Sequence, residues 1–170
     1  MDLNSCINIF VGDNNSGKST ILEAISMVLT GKINGIPITN KLSLDWFNYD
    51  VREEFKSSII NKSYIDPPSI LIEAYFDPES FSDNDIKLNS YRGSNNSLSE
   101  DSAGVRIDIK LNSDYSATYK ELLENKKIED IPIELYKIDF KNFAGTSDYY
   151  VATTLKKIAI IDTTKKDYGT

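Results

Sequence analysis

Residues 12–20 read Gly-Asp-Asn-Asn-Ser-Gly-Lys-Ser-Thr. Ahead of them, residues 7–11 are Ile-Asn-Ile-Phe-Val, and behind them residues 21–29 are Ile-Leu-Glu-Ala-Ile-Ser-Met-Val-Leu. Gly12 and the run from Gly17 to Ser19 satisfy the pattern G-x-x-x-x-G-K-[ST], set between an apolar run and an amphipathic helical pattern. The order strand, glycine-rich loop, helix is the context in which that pattern carries a mechanism. It predicts a strand over 7–11 and a helix over 18–29. The helix should bury the face made by Ile21, Leu22, Ala24, Ile25, Val28 and Leu29 against a sheet.

Each residue type in the loop has a physical reason. A polyphosphate concentrates negative charge in a small volume, so a loop that wraps it must turn successive backbone N–H groups inward and let the chain approach closely. Gly12 can take the turn off the strand, and Gly17 can stand where a side chain would strike the phosphates. Asn14 and Asn15 tolerate left-handed backbone angles better than most residues. Ser16 completes the loop. Lys18 supplies a point charge for the β and γ phosphates, the Ser19 hydroxyl is placed for Mg²⁺, and Thr20 lies near the α phosphate. The helix dipole adds about half a positive charge at that end. The expected ligands are therefore ATP and Mg²⁺, held by Gly12, Asn14, Asn15, Ser16, Gly17, Lys18, Ser19 and Thr20.

Composition narrows the remaining choices. The chain has 170 residues, enough for one ordinary domain and one core. Its 19 basic and 26 acidic residues give a formal charge of -7, which argues against a broad nucleic-acid-binding face. There is no histidine. That removes Ser-His and Cys-His nucleophilic sites and histidine-ligated zinc. The single cysteine, Cys6, reads as a small apolar filler at the start of the first strand of a reduced, cytoplasmic protein. No apolar run approaches the ~20 residues needed to span a bilayer, and no signal-peptide pattern opens the chain.

Beyond the first helix, residues 30–40 contain two glycines and a proline and read as a loop. Ser43 is placed to cap a second helix carrying Leu44, Trp46, Phe47, Val51, Phe55 and Ile59, with Trp46 a packing residue. Alternation over 69–76 sets Ile70, Ile72, Ala74 and Phe76 against Leu71, Glu73 and Tyr75, a strand with one buried face. Residues 82–103 are rich in Ser, Asn and Asp and read as the least ordered stretch, with a helical turn at about 86–91. Val105, Ile107, Ile109 and Leu111 alternate with Arg106, Asp108 and Lys110, an antiparallel-type strand with one wet face. A short helix follows at about 115–124 and a strand at 133–140 whose mixed faces suggest burial on both sides or a bulge. Residues 142–148 read as a loop, and further strands are expected at 149–153 and 158–161. The fold class is α/β with a mostly antiparallel sheet.

Two sets of carboxylates invite a metal reading. The apolar residues 158–161 deliver Asp162 in the manner of a Walker B strand, but Thr163 and Thr164 stand where a water-positioning carboxylate belongs. Asp162 is thus either a second metal ligand or the first residue of a loop. Asp83 and Asp85 have a spacing used by some metal-dependent nucleases. They lie in a polar stretch without a strand to fix them, which favours a solvated loop.

The stretch from Ile7 to Leu29, with Asn14-Asn15-Ser16 at its centre, resembles the ABC-type ATPases of DNA maintenance, the RecF and SMC class. Within that class it is most similar to the OLD-family ATP-dependent endonucleases. Residues 92–98 and 160–164 also look like the N-terminal ATPase lobe of those enzymes. The resemblance implies a P-loop lobe that pairs with a second lobe and with a second copy. ATP would then be sandwiched in a homodimer of ATPase heads, and DNA cleavage would come from a Toprim domain elsewhere. This sequence has no Leu-Ser-Gly-Gly signature, no Walker B glutamate, no Toprim acidic cluster and no additional strand before residue 7. Residues 1–170 are therefore expected to be one lobe of a longer ATPase-nuclease, with DNA contacted through other parts. Two other readings stay open. One is a self-contained small P-loop kinase using Asp162, although only Arg52, Arg92 and Arg106 could furnish its lid. The other is a non-catalytic, nucleotide-responsive interaction module.

Overall fold

The computed structural model describes residues 1–4, 7–14, 16–40, 42–61, 66–77 and 89–147. The expectations for Cys6, Asn15, Asp83, Asp85, residues 149–153 and 158–161, and Asp162 lie outside these residues, as does the first half, 86–88, of the helical turn at 86–91.

Architecture follows from the three alternating segments. Strand β3 (Ile70–Tyr75) and strand β6 (Tyr136–Asn142) flank a central strand β5 (Ser102–Leu111), all antiparallel. Strand β4 (Arg92–Gly93) pairs with the start of β5, at Ser102 and Ala103. The register aligns Ile70, Ile109 and Ile138 in one row across the sheet and Ile72, Ile107 and Phe140 in the next. Directly opposed residues share a face, so these rows form a continuous apolar surface. Ile107 and Ile109 are fully buried in it. The sheet is mixed with helices, an α/β fold with a mostly antiparallel sheet as its patterning predicts.

Helix α1 (Lys18–Thr30) lies against β3 and β5 and buries Ser26, Met27 and Val28. The apolar stripe expected along the whole helix is used only at this end. Leu22 is 55% exposed, and Ile21, Ala24 and Ile25 are half-buried without joining the core cluster. The helix stops at Gly31, whose left-handed backbone turns its N–H onto the carbonyl of Met27 at 2.8 Å.

Residues 30–40 are a hairpin rather than a loop. Strands β1 (Lys32–Ile33) and β2 (Ile36–Pro37) meet at Asn34-Gly35, both with positive φ, and a 3₁₀ turn follows at Ile38–Asn40. The dipeptide Asn-Gly between apolar residues is the expected chemistry for such a turn. Ile33 and Ile38 carry the hairpin's burial into the core.

The second helix divides in two. Ser43 caps only a 3₁₀ turn, Leu44–Trp46, by accepting from the Asp45 N–H. Phe47 is extended, and Asn48 then caps α2 (Tyr49–Ile60) by accepting from the Asp50 N–H at 2.7 Å. Trp46 therefore sits in the turn, packed against the core as a packing residue should be. Within α2, Val51 in the first turn is exposed, whereas Phe55 is buried and Ile59 packs against the core, so the inward stripe begins one turn into the helix.

Residues 133–140 resolve their mixed pattern in the same way. Ile133–Leu135 is a 3₁₀ turn and the strand begins at Tyr136, so the two apolar sets belong to two elements. The strand also runs on to Asn142, which was expected in a loop. Its side chain is buried, donating to the Ser90 carbonyl and to Thr146 Oγ1 while its oxygen accepts from the Thr146 N–H. Helix α3 (Ser116–Glu124) follows a 3₁₀ turn at Ser113–Tyr115, close to expectation.

The described part of the Ser- and Asn-rich stretch is held by polar contacts. Asn96 is buried, donating to the carbonyls of Gly93 and Glu100 and accepting from the Glu100 N–H. Glu73, on the outer face of β3, receives the Ser97 N–H at 3.0 Å and hydroxyl at 2.6 Å and lies 3.5 Å from Arg106. Arg106 is also paired in fork geometry with Asp108. The wet face expected of β5 is a knitted ion-pair surface.

Candidate functional site: a glycine-rich loop at the start of α1

The approach to the loop differs from expectation. Residues 7–11 are not a sheet strand, and Ile7, Ile9 and Val11 are 73%, 79% and 86% exposed. A strand is stable only when a neighbour accepts its backbone hydrogen bonds. Among the described residues none pairs with 7–11, since β3, β5, β6 and β4 form a separate sheet.

The loop itself is organised around the lysine. Lys18 Nζ donates to the carbonyl of Gly12 at 2.7 Å, to the carbonyl of Asp13 at 2.6 Å and to Ser16 Oγ at 3.2 Å. An ammonium has three protons to donate, and here each has an acceptor. The Ser16 N–H also returns to the Asp13 carbonyl at 3.2 Å, closing a turn. Gly17 provides the left-handed step, φ +84°, and is the N-terminal cap of α1. A β-carbon there would meet no protein atom within 4 Å, so the glycine is required by its backbone angle. Asn14, which tolerates the left-handed conformation, does not adopt it; that step falls to Gly17.

This arrangement fits a phosphate. The first N–H with a helical acceptor is that of Ile21, which donates to the Gly17 carbonyl at 3.0 Å. Amides before it in the first turn have no intrahelical acceptor, and the cap supplies no side chain to take them. The first turn holds no acidic residue that would repel an anion. Ser19 and Thr20 are exposed there, with their hydroxyls on the same helical turn as the lysine. Of the expected site, the structure joins Gly12, Ser16 and Lys18 directly and sets Gly17, Ser19 and Thr20 at the open start of the helix, while Asn14 makes no side-chain hydrogen bond among the described residues. Among the described residues no group of three or more Cys, Asp or Glu is placed to hold a metal. Ser19 is the residue here that could contribute an oxygen to a magnesium ion otherwise held by water and phosphate.

One participant was not legible as a residue type. Asp13 contributes its backbone carbonyl to both Lys18 and Ser16, and every residue carries a carbonyl. Only its place in the turn marks it.

A glycine-rich turn that cages a lysine at an open helix N-terminus, beside an α/β core, defines a P-loop ATPase-type domain. The sequence accordingly matches a family described as AAA domain over residues 1–167, nearly its whole length, and the chain belongs to that family. No curated protein matches it. No solved structure matches it either. Membership brings nucleotide binding and ATPase-type function with it. No helix among the described residues is long and apolar enough to cross a membrane.

Proposed function

We propose that the chain is the ATP-holding lobe of an OLD-type ATP-dependent DNA endonuclease, or of a closely allied repair or defence ATPase. The observation that carries this reading furthest is the Lys18 cage in a loop whose wording, Asn14-Asn15-Ser16-Gly17-Lys18-Ser19-Thr20, resembles that family. In this reading the amides from Gly17 to Thr20 wrap the phosphates, Lys18 neutralises the β and γ groups, and Ser19 supplies a hydroxyl to Mg²⁺. The ion would screen charge between the β and γ phosphates. Asp162 is a second metal candidate. The whole sequence acts as one lobe, working as a homodimer of ATPase heads in the cytoplasm and reaching DNA through other parts of a longer protein.

The loop supplies a cradle for ground-state phosphates, whereas hydrolysis also needs a positioned water and stabilisation of the charge that spreads in the transition state. The isolated chain should therefore bind Mg-ATP with negligible turnover and no plasmid nicking. Phosphate release and nicking are measured with Mg²⁺ or Mn²⁺, with Lys18→Ala as the control. Lys18-dependent turnover near about 1 per second, within the ordinary range for complete enzymes, would overturn the lobe reading. Transfer to a small acceptor would favour a kinase. The magnesium dependence of binding separates the metal candidates: Ser19→Ala should reduce it strongly and Asp162→Asn little.

A further inference from the structure

We infer that Ser16 is a positioning residue for Lys18, and that Gly12 is required because it leaves room for the Ser16 hydroxyl. The inference rests on the nucleotide-binding reading of the loop and adds a residue role to it. Two independent observations support it. Among the described residues, Ser16 Oγ is the one side-chain acceptor in the lysine's cage, 3.2 Å from Nζ, while the other two acceptors are backbone carbonyls. A β-carbon built on Gly12 would lie 2.7 Å from Ser16 Oγ and 3.3 Å from Ser16 Cβ.

The first of those distances is too short for a real contact, so a side chain at residue 12 must push the serine hydroxyl aside. The hydroxyl is the far end of a short, exposed side chain and can rotate away. Doing so removes it from the ammonium. The two carbonyls then fix Lys18 from one side only, and its long, flexible stem recovers freedom that must be lost again when phosphate arrives. Gly12 and Ser16 are therefore coupled through one atom. A role for Gly12 in making room for the phosphate itself would show no such coupling.

Titration calorimetry of the full chain with Mg-ATP tests this, with far-UV circular dichroism confirming the fold of each variant. Ser16→Ala should weaken binding about three- to tenfold, the range of one ordinary hydrogen bond. Ser16→Thr, which keeps the hydroxyl, should restore binding to within about twofold of the native chain. Gly12→Ala should weaken the native chain by no more than Ser16→Ala does, and add less than about twofold in the Ser16→Ala background. Several results overturn the inference while leaving the nucleotide site intact. One is native affinity in Ser16→Ala when Lys18→Ala has lost binding, and another is failure of Ser16→Thr to restore it. A third is a Gly12→Ala penalty of equal size in both backgrounds. If the native chain itself binds no Mg-ATP, the nucleotide reading falls and this inference with it.

Discussion

The loop end of the molecule and the sheet end are built on opposite terms. Among the described residues, the chain from residue 7 to Thr20 is almost entirely exposed, and its hydrogen bonds reach no more than six residues along the sequence, the longest being Lys18 to the Gly12 carbonyl. The sheet joins residues 70–75, 102–111 and 136–142, and its central residues Ile107 and Ile109 have no exposed surface. Helix α1 spans the two, with an open first turn and a buried last one. The difference teaches where function and stability reside. A site that must exchange a charged ligand with water cannot be deeply buried, so its fold is held elsewhere.

If that division holds, core and loop substitutions should move different observables. The largest effect is expected from Ile107→Ala, which empties the middle of the apolar row under α1. It should destabilise the fold by about 2–5 kcal/mol in chemical denaturation while changing Mg-ATP affinity of the folded chain by less than about twofold. A large loss of affinity in the folded fraction would break the division. The converse substitution, Lys18→Ala, should lower Mg-ATP affinity about ten- to a hundredfold by calorimetry, with a melting temperature close to the native value. Equal affinity of the two proteins would remove the phosphate-loop assignment.

Gly104→Ala sharpens the comparison with Gly12. A β-carbon at Gly104 would stand 2.3 Å from the Phe143 ring and 2.5 Å from the Ala74 carbonyl, where neither neighbour can move aside cheaply. We expect a loss of at least about 1–3 kcal/mol in stability and no direct effect on the loop. The smallest effect concerns Asp130, which ties the segment before β6 to α2. Burial raises its carboxyl pKa, but Arg52 at 2.6 Å, the Ile131 N–H and Lys56 outweigh that and hold it below the ordinary value. A folded-state pKa that is lowered contributes stability above the ordinary value, and that contribution is lost as pH falls through the folded one. Melting temperatures followed from about pH 5 to pH 2 should therefore fall less steeply in Asp130→Asn than in the native chain. Parallel curves would show that the ion pair makes no contribution to folding.

Sequence periodicity was informative wherever one element filled the window that was read. β3 and β5 appear with the faces their alternation indicates, and α1 within one residue of its pattern. It misled where two short elements shared a window. Leu44 and Phe55 keep a helical spacing across the break at Phe47, and Ile133 and Leu135 abut a strand to which they do not belong. The hairpin at 32–37 was missed for a different reason. Its Asn34-Gly35 signal was present, but the two-residue strands flanking it are too short to show alternation.

Taken alone, the sequence determined the phosphate-loop pattern, the helix behind it and the inward faces of β3 and β5, because all three depend on residues a few positions apart. Tertiary structure decided the rest. It placed three strands in register, separated α2 from the 3₁₀ turn before it, buried Asn96 and Asn142 as polar anchors, and chose which half of α1 meets the sheet. It also left Ile7, Ile9 and Val11 exposed, although their β-branched pattern reads as a strand. The physical reason is the same in each case. Hydrogen bonds and apolar surface are satisfied by partners distant in the chain, and no local window carries the identity of those partners.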